Sequence, residues 1–249
     1  MELLEKYIPN FLFILLRAGI VLSLLPFFGS KTFPAQFKIG LAVAFAVLLA
    51  PVVEFNVTKA QIPLVVMREV MFGLIFGLAA RFIFFAVEMA GQVMSNAAGL
   101  SIASAFNPEI GQSTEVSRLY GIMATLMFFA MDIHHDLITI FVKSYEWLPS
   151  SPVDPGRIAF AAVSFASRIF VIALKLSAPV VIIMLIANLL MGFVYKAAPQ
   201  MNVFFVGYPV YIVLGLGVML LGLPVFAQVM GGYFSSIKDE MARVVLLLR

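Results

Sequence analysis

The chain contains no cysteine. That excludes disulfides, iron–sulfur clusters and thiolate metal sites. It has two histidines, adjacent at His134 and His135, and no HExxH in which a Glu would act as base beside two metal ligands one turn apart. A Gly-x-Ser-x-Gly turn, a phosphate-cradling glycine loop and a spaced Ser/His/Asp set are also missing, so nothing in the chain reads as an enzyme and no cofactor is expected. Charge is scarce: 12% of the residues are charged, against about 25% in a typical soluble domain. Apolar residues fill the space, at 63% of the chain with 25 phenylalanines and a mean hydropathy of +1.07. This is the composition of an integral membrane protein. The net charge of +3 is ordinary for that class and points to no nucleic-acid partner. The first residues do not read as a cleavable signal peptide. Glu2, Glu5 and Lys6 make a poor positive region, and Arg17 interrupts the apolar run that follows.

With about 20 residues needed to cross hydrocarbon, six apolar regions are expected: 9–28, 39–53, 62–87, 119–142, 158–195 and a last one beginning after Gln200. The first carries Arg17, and the third carries Arg68, Glu69 and Arg81. Two regions fit a simple span poorly. Residues 197–237 are charge-free and would make a helix about twice the membrane's thickness, so Pro209 and Pro224 are expected to kink or divide it. Residues 119–131 are too short to cross, and a turn is expected at 132–136. Bent helical hairpins that only partly enter the bilayer are therefore a competing architecture. With six crossings, the excess of Lys and Arg puts both termini on the cytoplasmic side.

Charges inside apolar segments mark candidate sites, because each costs a few kcal/mol at a membrane centre. Arg81 and Glu88, with Gln92 one turn further, share a helical face and form a polar stripe for a pore or a partner. The plainer reading is snorkelling at helix ends. Arg168 and Lys175 share a face with the same sign, so that helix needs acidic partners, lipid headgroups or water. Gly73 and Gly77 form a GxxxG that lets another helix approach closely. Asp132, His134, His135 and Asp136 suggest a metal site, but a polar hairpin tip accounts for them more simply, and no metal is expected.

The central passage, residues 89–118, is polar and rich in small residues. Such backbone persists in a membrane protein where protein buries it or where it lines water. Residues 89–105 suit tight helix packing. Phe106, Asn107, Pro108, Glu109, Ile110, Gly111 and Gln112 read as a loop, since Pro108 biases Asn107 away from helix and Gly111 permits a turn. Ser113 or Thr114 would cap a helix starting near Glu115, with Glu115 and Arg118 paired at i,i+3. The loop's two bulky residues, Phe106 and Ile110, could close a water-filled passage. An ordinary exterior connection is the alternative, and a secondary transporter with a broken helix at 89–118 is the competing function.

Three segments, in order, resemble the FliR family of type III export-gate proteins. EMAGQVMSNAAGLSIASAFNPEIG is similar to its central segment, with Asn107 where Asp is usual. DIHHDLITIFVKSYEWLP is similar to its paired-histidine segment, and KAAPQMNVFFVGYPVYIVLGL to its late Ala-Pro-Gln passage. The resemblance implies an all-α membrane protein of bent helical hairpins without enzymatic activity. A FliP-like part (1–157) would be fused to a FliQ-like helical hairpin (158–249). It implies partnership with FliP and FliQ in a gate for unfolded flagellar subunits, with FlhB and FlhA at the gate and lipid around it, in the bacterial inner membrane at the flagellar basal body. The loop 106–112 would form the plug of the closed channel.

Overall fold

A computed structural model describes residues 2–29, 34–53, 55, 59–100, 115–147, 155–200 and 202–248. Within them the only regular elements are helices: α1 (Glu2–Leu24), α2 (Pro26–Gly29), α3 (Ala35–Leu49), α4 (Ile62–Ala97), α5 (Glu115–Ala130), α6 (Ile133–Trp147), α7 (Pro155–Ala197), α8 (Val203–Leu221), α9 (Leu223–Ser235) and α10 (Ile237–Leu248), with a 3-10 turn at Lys59–Gln61. The fold is all-α, as the resemblance implied. Three helices hold a window long and apolar enough to cross a membrane: Tyr7–Leu24, Ile62–Ala97 and Val163–Ala197. The total is up to five if two broken pairs each count as one span. Among the described residues the six expected crossings therefore reduce to three to five.

The helix ends show why the count changes. At 36 residues, α4 joins the apolar region 62–87 to the first part of the expected packing helix in one element, because nothing in 88–97 breaks a helix. It closes at Gly99, whose φ is +73°. The Leu100 N–H reaches back to the Ser95 carbonyl at 3.0 Å and the Gly99 N–H to the Asn96 carbonyl at 3.1 Å, the reverse turn that satisfies the last carbonyls of a helix. Of the packing helix expected over 89–105, residues 89–97 are helical and 101–105 lie outside the described residues. In α7, Pro179 sits inside 43 residues of helix without ending it. The charge-free late region divides at Gly222, just before Pro224, with a bend of 50° between α8 and α9, whereas Pro209 sits inside α8 without ending it. The break expected at 132–136 falls at Met131–Asp132, where Asp132 takes φ +57°, and α6 starts at once.

The chain forms two compact units. One is Met1–Phe82, Asp132–Phe165 and Ser236–Arg249; the other is Ile83–Met131 and Ala166–Ser235. In the first unit, α1 lies along α3, and the Asn10 side-chain amide donates to the carbonyls of Ala50 (3.3 Å) and Val53 (2.8 Å), closing the C-terminal end of α3. The GxxxG of α4 works as expected. A Cβ on Gly73 would lie 3.0 Å from Ile20 Cβ, and one on Gly77 would lie 2.6 Å from Leu24 Cδ1, so both glycines are what let α1 approach. The α10 helix docks on α6, with Lys238 Nζ 2.6 Å from Asp136 Oδ1.

In the second unit the core is aromatic and small. Phe84, Phe128 and Phe234 form a triangle with centroids 5.8, 6.1 and 6.0 Å apart, contacts worth roughly 0.5–1.5 kcal/mol each beyond burial. Gly91 admits α5 so closely that a Cβ there would lie 2.5 Å from Ser117 Cα, and Ser117 Oγ donates to the Glu88 carbonyl at 3.0 Å. Tyr120 stacks edge-on against Phe226 at 4.8 Å and its hydroxyl donates to the Met219 carbonyl at 3.4 Å. That carbonyl lies in the last turn of α8, where intrahelical donors run out.

Candidate functional site

The plug segment Phe106–Gln112 lies outside the described residues, as do Ser113 and Thr114. The helices on either side of it are described. On one side α4 ends in the closed turn at Gly99. On the other, α5 starts at Glu115, where Arg118 Nη1 pairs with Glu115 Oε1 at 3.3 Å, the i,i+3 contact expected from spacing. Both side chains are more than half exposed, so this pair contributes little to stability.

Of the polar-stripe residues, Arg81 is half-buried in the first unit, while Glu88 and Gln92 are exposed in the second. Asn96, four residues beyond Gln92, is exposed on the same face and was not singled out from the sequence, although its i+4 spacing carries the signal. Arg168 and Lys175 are both exposed. Lys175 has a partner within the chain: its amine donates to the Tyr233 hydroxyl at 3.4 Å and lies 6.0 Å from that ring's centre. Lys175 also lines a small cavity together with Met94, Tyr120, Pro179, Gly222 and Phe226. The second unit thus gives Lys175 a neutral neighbour rather than the acidic one its charge called for.

The most strongly organised polar group is elsewhere, inside the first unit. Arg17 of α1 and Glu69 of α4 are 1% and 0% exposed. Arg17 Nε donates to Glu69 Oε2 at 2.6 Å, and Nη2 to Oε1 at 2.9 Å. This is the two-pronged geometry that a planar guanidinium makes with a carboxylate. Its remaining nitrogen, Nη1, donates to Ser144 Oγ at 2.8 Å, and that hydroxyl in turn donates to the Phe141 carbonyl at 2.6 Å. The Tyr145 ring lies 4.0 Å from the guanidinium carbon and the Phe72 ring 5.1 Å, covering the charge with aromatic faces. Arg68 Nη2 adds a longer contact of 3.5 Å to Glu69 Oε1. One cation, one carboxylate and one hydroxyl thereby tie α1, α4 and α6 together. Sequence reasoning flagged Arg17 and Glu69 as separate interruptions of apolar runs and did not pair them. Their opposite signs inside two apolar segments were the available clue.

Asp132, His134 and His135 bring their ligating atoms within 4.8 Å of one another. The Asp132–His135 contact, 3.5 Å with both side chains more than two-thirds exposed, is an i,i+3 pair at a helix start. Asp136, which could complete a set of ligands, is held by Lys238. The arrangement is that of a polar helix junction, and no catalytic constellation accompanies it among the described residues.

The family described as bacterial export proteins, family 1, matches residues 8–237. Among similar proteins, the flagellar biosynthetic protein FliR of Caulobacter vibrioides is 31% identical over 230 residues, covering 90% of this chain and 92% of its own. That of Pectobacterium carotovorum is 30% identical over 252 residues, covering 98% and 95%. That of Bacillus subtilis is 27% identical over 248 residues, covering 96% of each. These names describe biosynthesis of the flagellum and no enzymatic reaction. An apolar all-α chain matched over nearly its whole length, this protein belongs to the bacterial export proteins, family 1.

Proposed function

We propose that this protein is a non-enzymatic subunit of the bacterial flagellar type III protein-export gate. It joins FliP and FliQ subunits to form the channel for unfolded flagellar substrates, with FlhB and FlhA as further partners, in the inner membrane at the basal body. The observation that carries this reading is the match to export proteins over residues 8–237, together with the similarity to proteins named flagellar biosynthetic protein FliR. Residues 106–112 serve as the plug of the closed state. They fall between the closed end of α4 at Gly99 and the start of α5 at Glu115. The division into a FliP-like part up to residue 157 and a FliQ-like hairpin from 158 belongs to the same reading.

Purification from membranes in mild detergent, with mass analysis of what comes along, tests it. A large hetero-oligomer containing FliP and FliQ is expected. A monomer or small homo-oligomer that binds a small solute would overturn the gate in favour of a transporter.

A further inference from the structure

The exposed side of α4 changes chemistry along its length. As far as Leu78 its large exposed side chains are apolar: Leu64, Met67, Leu74 and Leu78. From residue 83 to the end of the helix the only exposed side chains are Glu88, Gln92 and Asn96, while Ala86, Val87, Ala90 and Met94 face inward. Spaced four apart, the three polar residues form a ladder on one helical face. A carboxylate and two primary amides in a row are poorly suited to hydrocarbon, so this face meets water or a polar partner. It is also held in register: Gly91 lets α5 seat against α4, and Ser117 bonds the Glu88 carbonyl. The ladder ends where Gly99 closes the helix, at the connection that carries the proposed plug.

The spacing points to an occupant. Four residues of helix rise about 6 Å, and an extended polypeptide repeats every two residues at roughly 6.6 Å. Each amide of the ladder presents both a donor and an acceptor, and every peptide unit of an extended chain offers both in return. We infer that Glu88, Gln92 and Asn96 form a wetted track along which the backbone of an extended, unfolded polypeptide slides. The contact reads backbone and not sequence, as a conduit for many different chains requires. This inference rests on the export-gate reading and adds to it the wall that the substrate touches.

The absence of native cysteine makes the test clean. Glu88→Cys, Gln92→Cys and Asn96→Cys are each introduced into assembled gates, with Leu74→Cys and Leu78→Cys as comparison. The gates are loaded with an export substrate stalled by a folded C-terminal domain and carrying single cysteines at several positions. Oxidation should link all three ladder thiols to the stalled chain at several substrate positions, with at most a tenth of that yield from Leu74→Cys and Leu78→Cys. Links from the ladder only to a partner subunit, no links at all, or equal yield from the leucine positions would each overturn the track. Failure of the unsubstituted chain to form a stalled complex would overturn the gate reading itself, and the track with it. As a second measurement, Gln92→Leu combined with Asn96→Leu should slow export severalfold for all substrates alike while FliP and FliQ still copurify. A loss confined to one substrate, or no loss, would count against a backbone contact.

Discussion

The Arg17 guanidinium holds the Glu69 carboxylate by two bonds, of 2.6 and 2.9 Å, with both groups closed off from solvent and a serine and two aromatic rings completing the enclosure. Removing one partner strands a charge. Arg17→Met or Glu69→Met alone should therefore cost about 3–5 kcal/mol, whereas the double substitution should recover most of that loss, because a buried pair gains little over apolar residues of similar volume. Thermal unfolding of the purified complex, arranged as a double-mutant cycle, measures this. Additive losses would show that the two side chains act independently.

The glycines separate by what stands opposite them. At Gly91 the obstacle is the backbone of Ser117, so Gly91→Ala should cost about 1–3 kcal/mol through overpacking. At Gly77 it is Leu24, whose Cδ1 at 2.6 Å can swing aside but whose Cβ at 2.8 Å moves only with its backbone, so the loss should fall below that at Gly91 without vanishing. Gly121, inside α5 with nothing within 4 Å of its added Cβ, should tolerate alanine and gain about 0.5–1 kcal/mol. The order of melting temperatures, Gly121→Ala above wild type and Gly91→Ala lowest, checks the helix contacts directly.

Deletion of Phe106–Gln112 should leave the complex assembled and make the membrane leaky to small ions or dyes. A tight membrane after deletion would remove the plug role. Gly99→Ala is a gentler probe. A residue with a Cβ at φ +73° costs about 1–3 kcal/mol, which should loosen the end of α4 and raise the resting leak without abolishing assembly.

Charge reversal at Arg168 and Lys175 reports on what those exposed cations meet. If a partner's acidic groups face them, Arg168→Glu with Lys175→Glu should lower the recovery of FliP and FliQ severalfold. Undiminished recovery would remove the acidic partner contact, with Lys175 resting on Tyr233.

Signals carried by neighbouring residues were readable from the sequence. Gly73 and Gly77 marked a helix contact, Glu115 and Arg118 marked a helix start, and the Asp132 region and Pro224 marked breaks, because each depends on residues a few positions apart. The Arg17–Glu69–Ser144 cluster was not readable. Its members are 52 and 127 positions apart, and no local pattern specifies which buried charge meets which. The end of α4 was not readable for a different reason. A run of Gly, Ala and Ser supports packing whether or not it is helical, and only the +73° dihedral of Gly99 decides where the helix stops. For the candidate site, composition located the polar passage near the middle of the chain. The exposed ladder within it required knowing which side of α4 faces inward.

The length of α7 bears on how the protein must be made and handled. Its 43 residues extend roughly 64 Å, while hydrocarbon covers about 30 Å. Bulky apolar side chains remain exposed from Phe160 to Phe193. Lipid alone cannot cover that length, so the isolated chain presents grease to water. On the export-gate reading it should be short-lived in the cell and a target of membrane proteases when made without FliP and FliQ, and should accumulate when they are made alongside it.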